Sequence, residues 1–143
     1  MLLLHARIVT MEERDYADGY LRLENGKISA VGEMADLQRK PGEEQLDLSG
    51  LTVYPGFIDA HTHLGMWEDG LTFEGDDGNE ETDPVTPQLR AIDAVNPMDR
   101  CFREALEAGV TTVITGPGSA NAIGGQMAAL KTHGVRVDDM VLQ

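Results

Sequence analysis

The sequence predicts an α/β protein, and three of its features carry that expectation. Residues 1–55 alternate apolar and polar positions, with Asn25-Gly26 between two such runs, the pattern of hairpin strands. FIDAHTHL at 57–64 and VTTVIT at 110–115 both read as strands, and a helical pattern lies between them. A strand, a long connection, a helix and a second strand opening onto another loop is the order of a βαβ unit in a parallel sheet. The chain therefore divides into a β layer, residues 1–55, and a strand-helix region, residues 56–143.

Within the β layer, LLLHARIVT at 2–10 and GYLRLENGKISAVG at 19–32 read as three short antiparallel strands. The turn falls at Asn25-Gly26 because both residues tolerate the positive φ of a type I′ turn. LDLSGLTVYPG at 46–56 reads as one more strand, set apart by the polar linker DLQRKPGEEQ.

At Pro55 and Gly56 the character changes. The strand FIDAHTHL places Phe57, Asp59, His61 and His63 on one face. Ile58, Ala60, Thr62 and Leu64 lie on the other, ready to pack against helices. Residues 65–96 follow as a long acidic segment with nine acids and one arginine. Connections of that length are functional loops or solvated ones, and Met66, Trp67, Leu71, Phe73, Leu89 and Ile92 favour order. Its GDDGNEETD run does not match the ligand spacing of a calcium loop.

NPMDRCFREALEAG predicts a helix capped by Asn96, with Pro97 at its first position and Gly109 closing it. Its apolar face is Met98, Cys101, Phe102, Ala105 and Leu106, which makes Cys101 a small core residue rather than a nucleophile. After the β-branched run 110–115 comes GPGSANAIGGQ, which has neither the G-K-[ST] of a phosphate loop nor G-x-G-x-x-G spacing. It reads as a purely structural turn or as a wall of a substrate pocket, with Asn121 and Gln126 as hydrogen-bonding groups. The tail from 126 reads as a short helix then a strand, or as two extended pieces.

Composition limits the function classes. Eleven basic against 25 acidic residues in 143 give 11 − 25 = −14, a charge that repels nucleic-acid backbones and anionic membranes. The leucines at 2–4 are too few for a signal-peptide core, and no run approaches a membrane span. The single cysteine requires no oxidising compartment. The expected location is the cytoplasm, and the expected partners are a small-molecule substrate and a second copy of the chain in a homo-oligomer, with no nucleic acid and no membrane.

His61 and His63 are the candidate metal ligands. Residues two apart on a strand project from one face, so both imidazoles can close on a single ion. An isolated H-x-H is ordinarily a pair of satisfied polar residues. This one lies at the C-terminal end of an expected parallel strand, the edge where α/β enzymes place their sites. Asp59 on the same face either orients a neighbouring group or serves the structure alone. His5 and His133 read as surface residues.

A β-rich start with a G-K-I-x-x-V-G turn, followed by P-G-F-I-D-x-H-x-H at 55–63, resembles the beginning of a metal-dependent hydrolase of the amidohydrolase superfamily. GVTTVITGPGSANAIGGQ further resembles its imidazolonepropionase-like and prolidase-like branch. The resemblance implies a (β/α)8 TIM barrel with a small β-sandwich, of which this chain covers the sandwich strands and about the first two barrel units. It implies that His61 and His63 hold a divalent metal, zinc foremost, as one or two ions. It also implies hydrolysis of a carbon-nitrogen bond in an amide, cyclic amide or dipeptide-like substrate, by water activated at the metal. The other ligands and the general-base aspartate are expected beyond Gln143, since eight strand-helix units do not fit into the residues after Gly56. The apolar ending VDDMVLQ likewise suggests the N-terminal part of a longer enzyme. The alternative is a non-catalytic fragment or accessory chain that keeps the start of the fold for binding or structure. In the enzyme reading the acidic segment lies over the pocket, with Trp67 and Phe73 forming a lid.

Overall fold

The computed structural model describes residues 1–68 and 71–142; Asp69 and Gly70 of the acidic segment, and Gln143, lie outside the described residues. The fold is α/β with mixed sheets, and the chain forms two compact units, Met1–Pro55 and Gly56–Gln143.

In the first unit, β1 (Leu2–Ile8), β2 (Tyr16–Glu24) and β3 (Lys27–Glu33) form an antiparallel meander. Asn25 and Gly26 turn it with φ of 53° and 73°, the left-handed pair that the sequence requires there. The expected single strand at 46–56 is instead two short strands, β4 (Gln45–Asp47) and β5 (Thr52–Val53), both parallel to β1. The break has a local cause. The Asp47 carboxylate accepts from the Ser49 N–H at 2.8 Å and from its hydroxyl at 2.6 Å, and Gly50 then takes φ 83°, which a strand cannot hold. Because β4 runs parallel to β1, the chain needs a crossover. Arg22 ties that crossover down, reaching Glu43 at 2.7 Å and the Gln38 carbonyl at 2.6 Å. Ala6, Ile8 and Leu21 form the core, with Leu3, Tyr16, Leu48 and Val53 packed around them.

In the second unit, β6 (Phe57–Thr62) pairs parallel to β7 (Val110–Thr115), and β8 (Ala128–Lys131) pairs with β7. The β7–β8 pairing is antiparallel, a departure from the all-parallel expectation. Residues 116–127 contain no helix, and a parallel return needs a crossover of a dozen or more residues, usually helical. Among the described residues three short α-helices accompany the sheet: α1 (Ala91–Ala94), α2 (Arg100–Glu107) and α3 (Val137–Met140).

Helix α2 starts later than the sequence suggests. Asn96 makes a turn of its own, its side chain accepting from the Met98 N–H at 3.0 Å. Asp99 is the true cap, accepting from the Cys101 N–H at 3.3 Å. Met98 consequently sits outside the helix, 69% exposed, while Phe102 is buried at 3% and Cys101 packs beside the core as expected. The tail is a strand followed by a helical turn, neither the helix-then-strand order nor the two extended pieces that the sequence offered. Its apolar end is engaged, since Leu142 N–H donates to the Ala129 carbonyl at 2.9 Å.

The core of this unit is Met66, Val95, Phe102, Val113, Leu130 and Met140. The packing face expected for β6 holds only at its end: Thr62 is buried, whereas Ile58 is 69% exposed. Among the described residues no helix is long and apolar enough to cross a membrane.

Candidate functional site

The C-terminal end of β6 is pinned to β7 by two threonine hydroxyls. Thr62 donates to the Ile114 carbonyl at 3.3 Å, and Thr115 donates to the Leu64 carbonyl at 2.8 Å. The ladder is not regular here. Asp59 faces Val113 but Thr62 faces Thr115, so β6 carries one extra residue between those pairs, and His63 lies just past the strand end. The two histidines still meet, with ring centres 5.3 Å apart and planes at 84°.

That separation suits a shared ion. Two imidazoles on one tetrahedral zinc, each nitrogen about 2.1 Å from it, place their ring centres roughly 5 Å apart. His63 is further oriented by its backbone surroundings, because Nδ1 lies 2.7 Å from the Gly116 carbonyl. A carbonyl only accepts, so Nδ1 carries the proton and Nε2 keeps the lone pair that a metal needs. His61 is exposed. Asp59 does not reach either ring through this network; its carboxylate accepts from the His61 backbone N–H at 3.2 Å. Among the described residues no group of three or more His, Cys, Asp or Glu side chains converges as a metal cluster.

A turn follows His63. Met66 N–H donates to the His63 carbonyl at 3.1 Å, and Gly65 adopts φ 81° with the Phe102 ring 2.8 Å from where a Cβ would stand. Only glycine suits that conformation and that space. The turn delivers Trp67 onto His63, ring centres 5.1 Å apart and planes at 88°. A cavity of 420 Å³ opens beside them, lined by His63, Trp67, Asp99, Cys101 and Glu104. Burial pushes the Cys101 thiol up to about 11, so it is a poor nucleophile at neutral pH.

The acidic segment is ordered by the glycine-rich loop. Thr86 N–H donates to the Ile123 carbonyl at 2.8 Å, Gln126 N–H to Leu89 at 2.8 Å, and Gly118 N–H to Gly78 at 2.6 Å. Asn121 and Gln126 take part with their side chains, donating to the Glu80 carbonyl at 2.6 Å and the Pro87 carbonyl at 3.2 Å. These two amides therefore brace the segment, where the sequence suggested a substrate wall or a turn. A second cavity, of 270 Å³, lies between the two stretches, lined by Met66, Asp77, Asn79, Leu89 and Gly124 among others. Trp67 is in place at His63, but Phe73 is 81% exposed. His5 pairs with Asp18 at 3.0 Å on the surface, and His133 is exposed, as expected of both. Sequence reasoning missed the Gly116 carbonyl and Gly78. A backbone acceptor has no residue signature, and Gly78 is one of 16 glycines.

No family model matches the chain. The amidohydrolase tasK of Hapsidospora irregularis is 32% identical over 114 residues, covering 79% of this chain and 12% of that protein. The imidazolonepropionase of Psychromonas ingrahamii is 36% identical over 85 residues, covering 56% of this chain and 19% of that protein. The chain thus spans less than a fifth of the length of either relative. The crystal structure of an amidohydrolase from Thermotoga maritima MSB8 superposes with a TM-score of 0.87 at 39% identity, covering 99% of this chain and 36% of that one. A likeness of that depth over nearly every residue, joined to the paired histidines at the end of β6, places the chain in the amidohydrolase superfamily.

Proposed function

We propose that this chain supplies the first two metal ligands of a hydrolase that cleaves carbon-nitrogen bonds. The observation that carries the reading is the pair of adjacent imidazoles at the end of β6, with His63 held by the Gly116 carbonyl so that Nε2 is free to bind. A divalent ion held by His61 and His63, zinc being one that imidazole donors suit, would polarise a scissile carbonyl and bring the pKa of a water from about 15.7 to near 7. Two donors alone do not make a catalytic zinc site, which takes three protein ligands. This reading assigns the remaining ligands, and an aspartate serving as general base, to sequence outside these 143 residues.

In this reading residues 56–143 are the first strand-helix units of a (β/α)8 barrel, with the acidic segment 65–96 beside the metal edge. Residues 1–55 belong to a small β-sandwich. The substrate is a small molecule with an amide, cyclic amide or dipeptide-like bond, and the excess of acids near the site disfavours anionic ones. The enzyme works in the cytoplasm as a homo-oligomer, without nucleic-acid or membrane partners. Elemental analysis of the protein after dialysis, with His61→Ala and His63→Ala beside it, tests the ligand assignment. Loss of bound metal in both variants is expected; metal content equal to wild type in both would remove the basis of the proposal.

A further inference from the structure

We propose that Trp67 is a positioning residue that fixes the His63 imidazole for its ion, and that Gly78 and the glycine-rich loop hold Trp67 against it. The inference deepens the reading of His63 as a metal ligand and rests on it.

The contacts form a closed circuit. His63 Nδ1 donates to the Gly116 carbonyl at 2.7 Å, and two residues further along the same loop Gly118 N–H donates to the Gly78 carbonyl at 2.6 Å. Gly78 lies directly against the Trp67 indole: a Cβ at that position would overlap Cζ2 and Cε2 of the ring. The other side of the circuit closes where Trp67 meets His63, 5.1 Å between ring centres and near perpendicular. The backbone around Trp67 is itself held, by its bridge to Asp76 and by the Asp77 N–H donating to the Met66 carbonyl at 2.9 Å. A hydrogen bond at Nδ1 sets which nitrogen is free but leaves the ring able to swing about that bond. The indole blocks the swing, and a ligand held in one orientation loses less entropy on binding. Among the described residues the exposed ring of His61 has only the His63 ring against it, so the two ligands differ in readiness.

Trp67 is the sole tryptophan, so its fluorescence reports on this site without labelling. The test is titration of the full chain with Co²⁺, read by Trp67 quenching and, for variants lacking the indole, by chelator competition. Nitrogen NMR of the metal-free chain reports the His63 tautomer. The expected results are Co²⁺ quenching in the wild type and a His63 proton on Nδ1. Gly78→Ala and Trp67→Ala should weaken Co²⁺ binding on the order of 10-fold while the His63 proton stays on Nδ1, and Trp67→Phe should restore the affinity. Should Gly78→Ala fail to fold, the difference between Trp67→Phe and Trp67→Ala decides alone. Wild-type affinity in Trp67→Ala, with binding lost in His63→Ala, would overturn the positioning role and leave the ligand reading standing. Wild-type binding in both His61→Ala and His63→Ala would overturn the ligand reading, and the positioning role with it.

Discussion

Met1–Pro55 and Gly56–Gln143 reach order by different routes. The first is built on a meander of three strands, its second turn a tight Asn-Gly pair, with alternation that buries Ala6, Ile8 and Leu21. The second has only short strands and helices, and its 32-residue acidic stretch, 65–96, is stitched to a glycine-rich loop from which it is separated by α2 and β7. Local rules build the meander of the first unit, with β4 and β5 added by a crossover; partners distant in sequence build the second. The candidate site lies in the second, where loops carry the function and nearby strands fix their ends.

Three measurements break or sharpen that contrast. The largest effect belongs to the cores. Phe102→Ala removes the one aromatic ring of the second unit's core and is expected to cost about 3–5 kcal/mol, against about 2–5 kcal/mol for Leu21→Ala in the ladder. Urea unfolding of each variant gives the numbers, with amide exchange at β7 and at β2 showing where the loss falls. A negligible cost for Phe102→Ala would mean that the second unit is held by its loop bonds rather than by its core.

A middle-sized effect is expected at Asn121. Its side-chain amide braces the acidic segment through the Glu80 and Asp83 carbonyls at 2.6 and 3.3 Å. Asn121→Ala should cost about 1 kcal/mol and raise amide exchange across residues 78–90. Unchanged exchange there would show the backbone bridges to be sufficient without the side chain.

The smallest effect is electrostatic. The Lys40 ammonium, 2.6 Å from Glu24, holds that carboxylate below its ordinary value of 4.5. A carboxylate depressed in the folded state contributes stability above its unfolded pKa and loses it as pH falls through the folded value. Glu24→Gln should therefore flatten a slight fall in the urea midpoint between pH 5 and pH 3 at low salt, and the difference should vanish at high salt because both groups are exposed. Equal slopes for wild type and variant at low salt would show the pair to be without thermodynamic effect.

The outcome of each expectation follows the range of the interaction behind it. The hairpin turn was legible because Asn25 and Gly26 need only their own φ angles, and the β7 strand because a β-branched run states its preference locally. The cap of α2 was misplaced by three residues, since Asn96 and Asp99 are both good caps and the choice depends on the Asn96 N–H bonding to the Gly65 carbonyl at 2.9 Å, 31 residues away. The direction of β8 was not legible: the tail from 126 read equally as a helix then a strand or as two extended pieces, and only its pairing with β7 decides.

At the candidate site the sequence by itself determined which side chains could bind a metal, because H-x-H at a strand end is a pattern of residue types. Their usable geometry was a tertiary matter. The Gly116 carbonyl that sets the His63 tautomer, the extra residue in β6, and the packing of Gly78 beneath Trp67 all join segments 11 to 54 residues apart or depend on backbone atoms that every residue possesses. Residue types announce chemistry, whereas backbone acceptors and close approaches exist only once the chain has brought its distant parts together.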